Sequence, residues 1–506
     1  MGNLSTKHLE ADLKGRSVRG GALIATSQGS QLLLQFIFTV VLARLLTPSD
    51  FGLVAMVTAV TGLGQAFADL GLSEATIQSP EISQNQVSAL FWINSVIGLG
   101  LTLITMAMAP VLAWFYREPQ LVAITLVLSP TFIIGGLRVQ PDAILKRQMR
   151  YKVLALRDVI GYTLGVFVAV AMALRGAGYW SIVAFPLTVN FSAMVLSWLM
   201  VHWRPSLPRR GANVRSMVTF GGHVAAAYFV GSLTSNAANI LIGWYWAAGP
   251  LGLYSKAYSL VTKPVTQIIT PVGNIAINTL SRIQHDPERF ARYYLRATNL
   301  MMWMSAPLFG FLFVAAKPVI IVTLGNKWLG AAPVFQLLSI SALAQPLLQS
   351  ANWLLVSSGR SDRLLKLCAI AAPVTIVSVV VGLPFGIKGV ALSSSLVLLG
   401  ALPFMLHFAF RGMRLTLPQL GRAILCPVSL SLVAVVFSES VLHFTAPGND
   451  LLALLVATLS FSSASLLMML APPVRREIVS FKAVLGDLRL SRQSVRPPAQ
   501  RDAVAS

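Results

Sequence analysis

Between residues 21 and 471 the chain consists almost wholly of apolar stretches long enough to cross a bilayer, and no motif constrains its fold as strongly. A helix needs about 20 apolar residues to span a hydrocarbon core of about 30 Å, and backbone in lipid must satisfy its own hydrogen bonds. Fourteen stretches meet that requirement: 21–43, 51–72, 88–114, 121–140, 155–174, 178–200, 217–246, 251–281, 297–323, 331–356, 364–384, 388–410, 423–443 and 451–471. An all-α polytopic membrane protein with about 14 transmembrane helices is therefore expected. Only 11% of the 506 residues are charged, where a soluble domain carries about 25%, and the mean hydropathy is +0.72. The positively charged run before the first stretch, with no obvious cleavage site after it, reads as an uncleaved first helix.

The net charge of +22 would also suit a nucleic-acid binder, but the placement of the charges points to a membrane. With the N-terminus inside, the segments assigned to the cytoplasm hold 31 of the 39 lysines and arginines. The outer turns hold six: Arg44, Arg117, Arg175, Lys317, Lys327 and Lys388. The two left over, Lys256 and Lys263, lie inside one apolar stretch. This alternation through every turn supports both the helix count and the orientation, with both termini cytoplasmic. The basic tail 472–506 is expected to lie near anionic headgroups. The outer turns are too short to house an outer domain.

An internal repeat runs at an offset near 200 residues. Ser49-Asp50-Phe51-Gly52-Leu53-Val54 aligns with Gly249-Pro250-Leu251-Gly252-Leu253-Tyr254, and Arg16-Ser17-Val18 with Arg215-Ser216-Met217. Gly176-Ala177-Gly178-Tyr179-Trp180-Ser181 sits where Gly386-Ile387-Lys388-Gly389-Val390-Ala391 sits later. Six spans repeated in the same orientation predict two pseudo-symmetric lobes, 21–200 and 217–410, related by an axis along the membrane normal. A cytoplasmic N-terminus (1–20), a basic cytoplasmic linker (201–216) and two extra C-terminal helices (423–471) complete the organisation.

Steps of three and four keep helical residues on one face, so Lys256, Leu260, Lys263, Gln267, Pro271, Asn274 and Asn278 form a stripe. Leu251, Leu253, Ala257, Val261, Val265, Ile268, Ile269 and Val272 form the apolar face opposite. Lysines at membrane depth are costly and mark a functional site or a wet cavity; the ordinary alternative is that each snorkels to an interface. Two cations without local acids suit an anionic ligand such as a phosphate or pyrophosphate. Pro264 and Pro271 would kink this helix, as a hinge or as static shape. Gln28, Gln31 and Gln35 in the first span, Thr58, Gly62, Gln65 and Asp69 in the second, and His223, Asn236 and Asn239 in the seventh are the other polar stripes. They either line a central cavity or glue helices together. Asp69 is the best-placed candidate for ion coupling, and capping or pairing with Arg16 or Arg19 is its alternative role. Arg157-Asp158 reads as a local interfacial pair. Cys368 and Cys426 read as inert core residues.

Enzyme signatures are missing from the sequence in any convincing form: no phosphate loop after a strand, no zinc-ligand spacing, no carboxylate pair in an outer turn. No cofactor, no metal and no nucleic-acid partner are expected. A polymerase or ligase acting on lipid-linked sugars would need a large outer loop for its catalytic residues.

The run Ser17-Val18-Arg19-Gly20-Gly21 through Leu42-Ala43-Arg44-Leu45-Leu46-Thr47-Pro48-Ser49-Asp50-Phe51-Gly52 is similar to the opening of Wzx-type polysaccharide flippases of the WzxC branch. So are Phe67-Ala68-Asp69-Leu70-Gly71-Leu72 and Leu251-Gly252-Leu253-Tyr254-Ser255-Lys256-Ala257-Tyr258. The similarity covers roughly residues 10–420 and places the chain in the multidrug/oligosaccharidyl-lipid/polysaccharide exporter superfamily. It implies two six-helix lobes around a central cavity, and export of an oligosaccharide carried on undecaprenyl pyrophosphate across a bacterial inner membrane. It implies headgroup binding by Lys256 and Lys263, with sugar contacts expected from Gln31, Gln35, Asn236, Asn239 and Gln267. Membrane lipids, and a polymerase and chain-length regulator of the same pathway, are the implied partners. A multidrug exporter of the same superfamily, which would present an acid at the cavity centre, and a non-transporting component of the assembly machinery are the competing readings.

Overall fold

The structure is a computed structural model that describes residues 13–68, 72–78, 82–207 and 215–469. Every element among them is helical. The first half gives α1 (Leu13–Leu45), α2 (Pro48–Ala68), α3 (Leu72–Gln78), α4 (Gln84–Tyr116), α5 (Gln120–Leu128), α6 (Thr131–Arg147), α7 (Tyr151–Leu174) and α8 (Trp180–Met200). Then come α9 (Arg215–Trp246), α10 (Ala248–Arg282), α11 (Pro287–Val314), α12 (Ala316–Leu324), α13 (Ala332–Ala342), α14 (Ala344–Ser357), α15 (Ser361–Gly382) and α16 (Gly386–Phe410). The pair α17 (Leu417–Thr445) and α18 (Asp450–Met469) closes the described chain.

Each of the fourteen expected spans is met by one helix or by a pair broken in mid-course. The break between α5 and α6 falls at Ser129-Pro130, where proline cannot donate to the preceding turn. Those between α11 and α12 and between α13 and α14 fall at Ala315 and Leu343. Conversely, α10 runs unbroken through Pro264 and Pro271. Ten segments among the described residues are long and apolar enough to cross a membrane, and Asp362–Phe410 covers two helices. The spans of α2, α9 and α10 are not among those segments.

The chain packs as two compact units. The first joins the chain up to Leu260 with Ile320–Leu338 and Leu365–Leu398; the second comprises Val261–Val319, Ser339–Leu364 and Leu399 onward.

In the first unit the repeat becomes physical contact. A Cβ on Gly52 would lie 1.7 Å from the Ala248 carbonyl oxygen, and one on Gly252 would lie 1.8 Å from the Pro48 carbonyl oxygen. Pro48 and Ala248 are the first residues of α2 and α10, so the opening turn of each helix sits in the notch left by the other's glycine. The aligned glycines of the repeat thus meet reciprocally at this crossing. Around this crossing, Phe51 packs edge-on against the fully buried Trp328, with centroids 5.3 Å apart. The Trp328 Nε1–H donates to the Ala43 carbonyl at 2.8 Å and Lys327 Nζ to the Arg44 carbonyl at 3.5 Å. Arg44 in turn donates to the Val322 and Thr323 carbonyls at 2.5 and 3.5 Å. The last carbonyls of α1 and α12, which have no partners within their own helices, are thereby satisfied by each other's neighbourhood.

At the far end of the same unit, Arg157 is buried among three helices. It bonds Asp158 at 2.6 and 2.9 Å, Ser197 Oγ at 2.9 Å, and Asp142, which also binds Arg138 at 3.2 Å. The local pair expected at Arg157-Asp158 is thus one edge of a network reaching α6 and α8. The short α3 is pinned onto α6 by Thr76 Oγ1–H donating to Gln140 Oε1 at 2.8 Å and by Arg147 Nη1 donating to the Thr76 carbonyl at 2.9 Å.

Gly52→Ala and Gly252→Ala should each lower the thermal midpoint of the detergent-solubilised protein, by the equivalent of about 1–3 kcal/mol. Gly400→Ala, with open space around the added methyl, should leave it unchanged or raise it. Asp142→Ala should cost about 3 kcal/mol, because a buried arginine loses a carboxylate partner.

Candidate functional site

The geometry of α10 follows from its sequence. Its apolar side is packed: Leu251, Ala257, Val261, Val265, Ile269 and Leu280 are at most 4% exposed, whereas Leu253 and Val272 are half-buried. On the polar side Lys263, Gln267, Pro271, Asn274 and Asn278 are all exposed. Two residues not foreseen widen this face. Thr266 and Thr270 are exposed, and their hydroxyls donate to the carbonyls of Lys263 at 2.9 Å and Thr266 at 2.7 Å. Their spacing of three from Lys263 and Gln267 is the signal that would have found them.

The two lysines have different surroundings. Lys256 is half-buried in the first unit, and its ammonium lies 4.1 Å from the centre of the Phe51 ring, a cation–π contact. Lys263 belongs to the second unit, one turn from Gln267, and stands exposed. No Asp or Glu occurs anywhere in α10. This face presents an ammonium, amides and hydroxyls without a carboxylate, an arrangement suited to an anion or to sugar hydroxyls.

The other four amides expected to contact sugars, Gln31, Gln35, Asn236 and Asn239, lie in the first unit. Gln31 Nε2 donates to Ser27 Oγ at 3.1 Å, and Ser27 Oγ–H to the Ala155 carbonyl of α7 at 3.3 Å; Gln35 is half-buried. Asn236 Nδ2 donates to the Ser232 carbonyl at 2.9 Å, while Ser232 Oγ–H reaches the Gly62 carbonyl of α2 at 3.2 Å. Asn239 Oδ1 is buried and accepts no hydrogen bond among the described residues. Gln31 and Asn236 therefore engage their own helices, next to contacts that join α1 to α7 and α9 to α2. In α2, Thr58 and Gln65 are exposed. Asp69 lies outside the described residues, as does the side chain of His223. Cys368 is exposed on α15 and Cys426 is half-buried, not core as expected. The cause is that a helix in lipid does not need to turn its apolar residues inward. Among the described residues no group of three His, Cys, Asp or Glu side chains could hold a metal ion.

Cysteines placed at 263, 267 and 274, in a background with Cys368 and Cys426 replaced by serine, should react with a charged, membrane-impermeant thiol reagent. Cysteines at 257 and 265 should not. Uniform failure to react would mean that the stripe faces lipid.

A family model described as "Polysaccharide biosynthesis protein" matches residues 41–333. The teichuronic acid biosynthesis protein TuaB of Bacillus subtilis is 25% identical over 336 residues, 65% of this chain and 69% of that protein. The lipopolysaccharide biosynthesis protein WzxC of Escherichia coli is 21% identical over 376 residues, 73% of this chain and 76% of that one, which bears out the resemblance seen in the sequence. Among solved structures, the lipid II flippase MurJ in an inward closed conformation superposes with a TM-score of 0.71 at 13% identity, covering 88% of this chain and 99% of that one. With more than half of its residues matched by the family model, the chain belongs to the polysaccharide biosynthesis protein family, and it has the helical fold of a membrane flippase.

Proposed function

We propose that this protein is a flippase that moves undecaprenyl-pyrophosphate-linked oligosaccharide units across a bacterial inner membrane, for exopolysaccharide or lipopolysaccharide synthesis. The observation that carries the reading is the exposed, carboxylate-free face of α10, with Lys263 at its N-terminal end. A family of polysaccharide biosynthesis proteins with a flippase fold supports it.

In this reading Lys263 and Lys256 bind the pyrophosphate, and Gln267, Gln31, Gln35, Asn236 and Asn239 offer hydrogen bonds to sugar hydroxyls. The polyprenyl tail stays in lipid, so the protein need only shelter the polar part of its cargo. Moving that part between the leaflets requires alternating access by the two six-helix lobes. An outward opening has to part the Gly52–Gly252 crossing and, with it, Phe51 from Lys256. Asp69 is the candidate for ion coupling. The polymerase and chain-length regulator of the pathway receive the exported unit, and both termini stay in the cytoplasm. A multidrug exporter would attract organic cations, which the two lysines of α10 repel.

Lys263→Gln should reduce polymer export at least tenfold in cells lacking the wild-type gene, while the membrane level of the protein is unchanged. That magnitude corresponds to losing one charged hydrogen bond of about 1.5–3 kcal/mol. Lys263→Arg should keep most of the export. Wild-type export by the glutamine variant would remove Lys263 from the site.

A further inference from the structure

Three of the turns assigned to the cytoplasm converge in the second unit and enclose a cavity of about 220 Å³. One is the α10–α11 turn, which contributes Gln284 and His285. Another is the α14–α15 turn, with Ser358 and Arg360, and the last is the α16–α17 turn, with Gly412, Met413 and Arg414. Phe290, Ala291 and Leu415, all buried, supply an apolar floor. The volume gives room for several water molecules and suits a phosphate with its ester arm. It is smaller than the roughly 300–1,000 Å³ of a drug-sized pocket.

The walls are built, not accidental. The Arg360 guanidinium donates to the carbonyls of Arg411 at 2.8 Å and Gly412 at 2.9 Å, and Arg363 also donates to Arg411. Gly412 has a φ of +73°, and a Cβ there would lie 3.3 Å from Arg360 Nη1, so the turn is shaped around the arginine. Asp286 caps α11 through the Arg289 amide at 3.0 Å. At the mouth, Arg414 pairs with Glu288 at 2.7 Å, both side chains well exposed. The segments 282–296, 360–366 and 411–422 together carry ten lysines and arginines against three acids, Asp286, Glu288 and Asp362. Two of those acids are already engaged, one as a helix cap and one in an ion pair that an incoming anion would contest.

We propose that this cavity binds the phosphate of an anionic membrane-lipid headgroup, held by His285, Arg360 and Arg414 with the glycerol arm over Phe290 and Leu415. A basic rim on an apolar floor, at the ends of helices long and apolar enough to cross a membrane, matches such a ligand in charge and polarity. The site is separate from the α10 stripe and does not depend on the transport reading.

The test uses the full chain in nanodiscs of phosphatidylcholine with or without phosphatidylglycerol, with lipid retention read by native mass spectrometry. Wild-type protein should retain phosphatidylglycerol, and Arg414→Gln and His285→Gln should each weaken retention about tenfold. Glu288→Gln should strengthen it by releasing Arg414, while Arg296→Gln, whose arginine does not line the cavity, should match wild type. Equal retention by wild type, Arg414→Gln and His285→Gln would overturn the proposal. So would inorganic phosphate displacing the lipid at millimolar concentration, which would assign the cavity to a soluble anion.

Discussion

Two glycines 200 residues apart allow two helix starts to occupy nearly the same space, and one end of the first unit is arranged around that fact. With any side chain at Gly52 or Gly252, a carbonyl oxygen of the opposing helix would have to move by more than an ångström. The crossing fixes where Phe51 stands, and Phe51 has neighbours on two sides, the buried Trp328 and the Lys256 ammonium. The tryptophan reaches back to the end of α1, and Arg44 reaches from there to the end of α12. Close backbone approach therefore governs a chain of contacts that ends at one of the two lysines topology does not explain.

The same lysines illustrate how little a stripe says about surroundings. Periodicity divided α10 broadly into a packed face and an accessible face, because burial on a helix follows its 3.6-residue turn, but Leu253, Leu260 and Val272 are half-buried and Ile275, which it left unassigned, is exposed. It could not separate Lys256 from Lys263, since the difference lies in Phe51, a residue distant in sequence that only the fold brings near. Asn236 and Gln31 make a related point: each bonds within its own helix, beside a serine that bonds to a neighbouring helix, so packing and polarity occupy the same residues. Of the amides expected to contact sugars, Asn239 is the one with a buried oxygen that accepts no hydrogen bond among the described residues.

The helix count was legible because a bilayer imposes one length on every span and a charge bias on every turn. The breaks at Ala315 and Leu343 were less so: Pro318 and Pro346 cannot donate to the carbonyls of Val314 and Ala342, where α11 and α13 end, yet α10 runs unbroken through Pro264 and Pro271, so a proline alone does not announce a break. Backbone acceptors are equally silent in sequence, which is why the partners of Arg44, Trp328 and Arg360 emerged only from the fold. Asp142, by contrast, stands four residues after Arg138 on one helix face and could have been suspected of pairing there. Its larger role, holding Arg157 against α8 through Ser197, depends on helix packing and was not readable.

The central claim is translocation, and reconstitution tests it most directly. Purified protein is placed in sealed vesicles with a fluorescent undecaprenyl-pyrophosphate-linked oligosaccharide, and the fraction of label accessible from outside is followed in time. A flippase equilibrates the label between leaflets faster than protein-free vesicles and far faster than the Lys263→Gln variant. Folded wild-type protein that leaves the label in its original leaflet would contradict the account and favour a non-transporting component of the assembly machinery.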